Sequence, residues 1–148
     1  MRRLALLPLV AVLAACGGGD GDGDGELSRE EYTKRANAIC VEAERKLDAL
    51  GGFESFDELS EEMKTGEAAL RKSAEELRKL VPPLALRGQH AQLADLQDET
   101  ADVAQRISAA AAKDDNLEMQ KQAERADKLT IESNETARRL KLDECVAG

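Results

Sequence analysis

Apolar residues recur every three or four positions along most of this chain, in four blocks. Tyr32, Ala36, Ile39, Cys40, Ala43, Leu47 and Leu50 make the first stripe, the spacing of one helix face. Ser28 precedes it, with Glu31 three residues on. That is a capping box, in which the serine oxygen takes an orphan amide and the glutamate reaches back. A helix is predicted from about Ser28 to Leu50, stopped by Gly51-Gly52. Ser55 and Glu58 repeat the signal before a second stripe of Phe56, Leu59, Met63, Leu70, Leu77 and Leu80. Thr65-Gly66 marks a place where this helix can kink or split, because glycine costs about 1 kcal/mol there relative to alanine. Pro82-Pro83 ends it, since a residue before proline is pushed out of helical geometry.

A third helix is predicted to follow directly, with Pro83 at its first position. Its stripe is Leu86, His90, Leu93, Leu96, Thr100, Val103, Ala104 and Ile107, fading through Ala109 to Ala112 into Lys113-Asp114. Asp115 and Glu118 form a third capping box. The stripe behind it is weak: Met119, Ala123, Ala126, Thr130, Ala137 and Leu140, with Leu117 and Ile131 alongside. No segment alternates with period two, so no strand is expected. Four helices joined by short turns predict an all-α, antiparallel, up-down-up-down four-helix bundle.

The first residues follow a different pattern. Arg2 and Arg3 form a basic start, and Leu4 to Leu13 is an apolar run interrupted only by Pro8. Ten apolar residues are too few to span a bilayer as a helix, which needs roughly 20. This reads as a secretory signal. Leu13-Ala14-Ala15-Cys16 reads as a lipobox, where the signal is cut and the new terminal cysteine is acylated. The expected organisation is a signal peptide over 1–15, lipidated Cys16 and a tether over 16–27, and a helical domain over 28–148. Two ester-linked chains are enough for stable anchoring.

Composition narrows the possible partners. The chain has 21 basic and 30 acidic residues in 148, and losing residues 1–15 removes two arginines, for a net charge of −11. Such a domain is a poor partner for nucleic acid or anionic headgroups. The aromatics are Tyr32, Phe53 and Phe56, with no tryptophan, so stacking platforms are not expected. Few bulky side chains also predict a thin core, which a covalent staple would help.

Gly17 to Gly25 alternates glycine and aspartate after an initial glycine run and should be flexible. Nine such residues span roughly 17 Å. Asp20, Asp22, Asp24, Gly25 and Glu31 also fit the EF-hand calcium-loop pattern, with Leu27 at its apolar position. No helix precedes the match and no second loop pairs with it, so a solvated linker is the expectation.

Signatures of chemistry are sparse. His90 is the only histidine, and Arg87-Gly88-Gln89-His90 is not the Glu-x-x-His of carboxylate-bridged metal sites. No Cys-x-x-Cys, Gly-x-Ser-x-Gly or Ser-x-x-Lys occurs, and no glycine-rich loop joins a strand to a helix. No metal and no cofactor are expected, and His90 reads as a partly buried polar residue. Glu61-Glu62, Glu75-Glu76 and Asp98-Glu99 are interleaved with lysine and arginine and read as solvated faces. Thr100, Thr130 and Asn134 interrupt the stripes. They would either line a small ligand cavity or be satisfied hydrogen bonds in a thin core, and the second is expected.

Around Asn37-Ala38-Ile39-Cys40 the chain resembles a broad set of small exported helical lipoproteins of high-GC Gram-positive bacteria. The shared features are the lipobox, the polar tether, this first-helix motif, a mid-chain Pro82-Pro83 and a late cysteine, Cys145. The resemblance implies a cell-surface location and a cysteine pair, and no activity. Leu140 to Glu144 departs from it in lacking a glycine. Thiol arithmetic agrees on the pair: acylation consumes Cys16 and leaves Cys40 and Cys145 in an oxidising compartment, where thiols tend to pair. The expected protein is a membrane-anchored, extracytoplasmic lipoprotein whose non-enzymatic helical domain meets an envelope protein or a small ligand. The alternative is an envelope enzyme with unrecognised catalytic residues.

Overall fold

The computed structural model of the chain describes residues 25–147. Four helices make up most of them: α1 (Arg29–Asp48), α2 (Phe56–Lys79), α3 (Arg87–Ala111) and α4 (Asn116–Leu140). Two 3-10 turns, Leu84–Leu86 and Asp143–Cys145, introduce α3 and follow α4. Neighbours in sequence pack as antiparallel neighbours in space, α1 on α2, α2 on α3 and α3 on α4. The architecture is the antiparallel bundle that the apolar periodicity predicts.

Three of the helix starts lie where the caps place them. The Ser28 and Ser55 hydroxyls accept from the Glu31 and Glu58 amides at 3.2 Å, and the Asp115 carboxylate accepts from the Glu118 amide at 3.0 Å. The glutamates of the three boxes turn elsewhere. Glu31 accepts from Arg35, Glu58 from the amide of Glu54, and Glu118 from Gln122. α1 ends at Asp48, ahead of the glycines. α3 starts at Arg87 rather than at Pro83, because Leu84–Leu86 tighten into a 3-10 turn whose last amide bonds the Pro83 carbonyl at 2.8 Å. Leu27, expected in the tether, donates to the Val81 carbonyl at 2.8 Å and packs on the core, so the domain starts slightly earlier than Ser28.

Gly66 does not break α2, which runs unbroken through it. The glycine is buried where α1 ends, and a methyl group there would reach Leu50 Cδ1 at 3.4 Å and Leu47 Cδ2 at 3.6 Å. The hydrogen in place of a methyl group leaves room for these two leucine side chains.

α3 and α4 both stop in a Schellman pair of bonds. Asp114 and Lys141 take the left-handed position at φ 54° and 59°. After α4, Leu142 N–H reaches the Ala137 carbonyl at 2.9 Å and Lys141 N–H the Arg138 carbonyl at 3.1 Å. The glycine missing before Cys145 is therefore missing from the one position that wants it, and lysine holds it at a cost of about 1 kcal/mol.

The core is dense at one end. Tyr32, Leu77, Leu86, Leu93, Leu140 and Leu142 meet there, with Ala36, Ala94 and Ala137 filling between. A smaller cluster of Leu96, Val103 and Leu129 continues along α3 and α4. Ser60 and Ser108 close the α2–α3 seam. The Ser108 hydroxyl donates to the Ser60 carbonyl at 2.9 Å, which leaves Ser60 to donate to Ser108 at 3.0 Å. Outside the same seam, Arg71 reaches Asp102 at 2.8 Å and Arg78 reaches Asp95 at 2.7 Å. Arg78 also holds Asp98.

The α4 stripe differs from the expected one. Gln122, Leu129, Thr136, Ala137 and Leu140 face inward, while Ala123 and Thr130 are exposed. Leu117 and Ile131 are 79% and 60% exposed. The inner face is rotated by about one residue, because Leu129 sets it and polar Gln122 and Thr136 are buried with it.

α1 barely touches α4. The two are joined instead through the chain after α4. Cys40 on α1 is disulfide-bonded to Cys145, with the Cα atoms 5.0 Å apart, closing a separation of 105 residues. Asn134 on α4 pins the same tail, accepting from Ala147 N–H at 2.8 Å and donating to its carbonyl at 3.1 Å. The chain-entropy model puts a ceiling of about 4.7 kcal/mol on a loop of this size, with less expected in practice. Cys40→Ser is expected to lower the melting temperature by about 10 °C. Dithiothreitol should lower that of the wild type comparably. Equal melting of oxidised and reduced wild type would show that the bond stabilises nothing.

Candidate functional site

The poor fit between α1 and α4 leaves a cavity of about 440 Å3, with all four helices and the C-terminal tail in its wall. Its floor comes from Met63 and Leu70 of α2 and Val103, Ala104 and Ile107 of α3. Ala43, Leu47 and Leu50 wall it on the α1 side, and Ala126, Thr130, Ser133 and Asn134 on the α4 side. The Cys40–Cys145 bond and Val146 close it from the tail. The α2–α3 and α3–α4 seams are closely packed, α1 meets α2 more loosely, and α1 and α4 barely meet, so the opening lies along α1 and α4.

Side-chain size explains the space. The α4 face over the cavity carries alanine, serine and threonine where a packed bundle would carry leucine. Met63, Leu70 and Ile107 were expected in the core and are only half-buried, because they look into this space. A volume of this size falls within the range of small-molecule sites.

Thr100, Thr130 and Asn134 all line the cavity, and all three are hydrogen-bonded. Thr100 donates to the Leu96 carbonyl at 2.8 Å, and Thr130 to the Ala126 carbonyl at 3.0 Å. The two readings of these residues are thus both met. With their hydrogens committed, the threonine oxygens offer only lone pairs to the cavity. Gln97 is also in the wall, and its amide oxygen is buried without a hydrogen-bond partner. Gln97 and the tail residues are cavity-lining groups that the stripe pattern did not reveal. A polar residue one position off an apolar stripe was the available signal.

At the mouth stand Glu44 and Asp48 of α1 and Glu144 of the tail. Among the described residues no lysine, arginine or histidine lines the cavity. Among the described residues none of the three carboxylates takes part in an ion pair, whereas the acidic clusters weighed as catalytic pairs do. Asp98 goes to Arg78, Glu99 to Arg125, Glu61 to Lys64, and Glu75 and Glu76 to Lys79. Those are interleaved solvated faces, as their spacing predicts.

His90 lies outside the cavity, in the dense end of the core, and is 5% exposed, more buried than expected. Its Nδ1 is 3.1 Å from the Tyr32 hydroxyl, with the two rings edge to face. Burial pushes the imidazole below its ordinary range, and the Leu77 carbonyl opposes that shift. Nε2 has no partner of normal hydrogen-bond geometry. The Tyr32 hydroxyl and Nδ1 share one hydrogen bond, whose direction follows the imidazole tautomer. Burial also pushes the Tyr32 phenol up to about 12. The pair is a structural hydrogen bond, with no access for a substrate.

The remaining predicted residues sit apart from this site. Glu31 of the calcium-loop pattern is in the first turn of α1, 2.7 Å from Arg35, which holds its carboxyl below the usual range. A cation would have to displace that arginine. Asp20, Asp22 and Asp24 lie outside the described residues, as do the 1–15 signal segment and Cys16. Among the described residues no helix is long and apolar enough to cross a membrane.

No protein-family model, no curated protein and no solved structure matches this chain.

The buried histidine gives a pH signature. In the folded state His90 holds its proton less tightly than the ordinary 6.5 of the unfolded chain. Below that pH the unfolded state therefore binds more protons, and stability, complete above 6.5, falls as pH drops towards the folded value. The slope for one proton is at most about 1.4 kcal/mol per pH unit. Glu31, Glu42, Glu76 and Glu118, held low by basic or amide neighbours, lose their contributions only below 4.5. Melting temperature should fall between pH 7 and 5 in the wild type. His90→Gln should flatten that limb and keep the acid limb below it. An unchanged limb in the variant would assign the effect to other groups.

Proposed function

We propose that this chain is a lipoprotein anchored on the outer face of the cell membrane through acylated Cys16, with a non-enzymatic domain that holds a small ligand in the cavity between α1 and α4. The observation that carries the binding reading is that cavity, framed by four helices with a disulfide in its wall. Of the two partners expected from the sequence, an envelope protein and a small ligand, it favours the ligand. A protein-docking face would call for a large exposed apolar patch, and the exposed apolar side chains are spread over separate elements: Val41 on α1, Phe53 and Phe56 around the start of α2, Leu84 before α3, and Leu117 and Ile131 on α4. The non-enzymatic reading is supported by what the wall contains. Its cysteines are in a disulfide, its threonines bond their own helix, and the one histidine is buried elsewhere. The anchoring reading is supported by the basic start, the short apolar run and Leu13-Ala14-Ala15-Cys16.

Metabolic labelling with a palmitate analogue is expected to tag the wild type and not Cys16→Ala. Equal labelling of both would remove the anchor. Cavity binding is expected with decanol on the full chain carrying Cys16→Ser. Calorimetry should give a saturable Kd of the order of 100 µM, after the cost of association is set against chain burial. Ala126→Trp, which fills the space from the α4 side, should abolish it. No saturable binding, or binding unaffected by Ala126→Trp, would discard the cavity as a ligand site.

A further inference from the structure

We infer that the cavity between α1 and α4 takes a molecule with an apolar body and one primary ammonium group. This rests on the reading of that cavity as a binding site and adds the chemical class of its ligand.

The floor, with Met63, Leu70, Val103 and Ile107, asks for an apolar body. The polar groups of its wall lean to acceptors, although the Ser133 hydroxyl and the Gln97 and Asn134 amides can donate as well. Thr100 and Thr130 have given their hydrogens to the Leu96 and Ala126 carbonyls and present acceptors. Glu44, Asp48 and Glu144 at the mouth are acceptors with a negative charge, free of ion pairs among the described residues. A site that leans to acceptors is complemented by a donor, and a site of carboxylates by a cation.

The end of α1 strengthens the same sign. Its last carbonyls carry the negative end of the helix dipole to the region of Leu47 and Asp48. Arg45 and Lys46, the bases of that turn, both bind Glu42. Lys46 and Glu42 line a separate groove between α1 and α2, on another side of the helix. They leave the cavity mouth without a counter-charge. An anionic head at the mouth would face three carboxylates and no base. A quaternary ammonium usually meets an aromatic cage, and no aromatic residue lines this cavity. A primary ammonium, with three N–H donors, fits the acceptors present.

The experiment titrates the full chain carrying Cys16→Ser, at pH 7, with three probes of one chain length: decylammonium, decanol and decanoate. Affinity is expected to fall in that order, decylammonium binding at least about tenfold tighter than decanoate, as charge placed at a partly screened mouth allows. The triple variant Glu44→Gln, Asp48→Asn, Glu144→Gln should weaken decylammonium at least about fivefold more than decanol. Raising salt should weaken decylammonium alone. Decanoate binding as tightly as decylammonium, with decanol bound and displaced by Ala126→Trp, overturns the ammonium assignment and leaves the cavity reading intact. Decylammonium binding that persists in Ala126→Trp is adsorption to an acidic surface and also overturns it. Failure of all three probes to bind overturns both readings.

Discussion

One covalent bond stands where the bundle lacks a packed seam. Three of the four sides of this bundle bring neighbouring helices together: α2 on α3 and α3 on α4 closely, and α1 on α2 across a groove. On the fourth side α1 and α4 stay apart, and the Cys40–Cys145 bond, with the Asn134 clamp on Ala147, spans the gap. The structure depends on this bond in two ways. It holds α1 to the C-terminal end of the bundle, and it closes the space between α1 and α4 from the tail.

The distribution of side-chain size is the second constraint. Leucines crowd one end, where Leu77, Leu86, Leu93, Leu140 and Leu142 surround Tyr32. Beside the cavity α4 presents Ala126, Thr130 and Ser133, too small to fill the space in front of Met63, Leu70 and Ile107. Stability and vacancy are thereby separated along one bundle. The α2–α3 pair makes this possible. Its serine pair and its arginine–aspartate ladder bind two helices firmly, leaving α1 and α4 to carry the walls. Surface ion pairs individually add little. Several sharing Arg71 and Arg78 fix register more than they add energy.

Much of the fold was legible in the residues. Helix starts at Ser28, Ser55 and Asp115 follow from short side chains that compete for orphan amides, a local effect that packing does not override. The cysteine pair was legible through counting. What escaped depends on neighbours distant in sequence. Gly66 looks like a helix breaker until Leu47 and Leu50 are seen against it. The face of α4 was placed about one residue off, because its small residues give no strong period and buried Gln122 and Thr136 look like surface. The cavity itself has no signature in a stripe, since a residue facing empty space and one facing a leucine have the same spacing. Thr100, Thr130 and Asn134 mark its wall, but satisfied hydrogen bonds in a thin core are the reading the sequence favours for them.

The position of Cys145 also orders the assembly of the domain. It lies after all four helices, so the bond to Cys40 forms only when the whole bundle sequence is available. Until then α1 has one helical neighbour, while α2, α3 and α4 already form two consecutive hairpins with short connections. Hairpins between adjacent segments form early because their loop-closure entropy is small. The α1–α2 pair has an equally short connection, so every neighbouring pair can form before the bond closes. Oxidation then acts as a final latch, making permanent an arrangement whose other three sides are already in place.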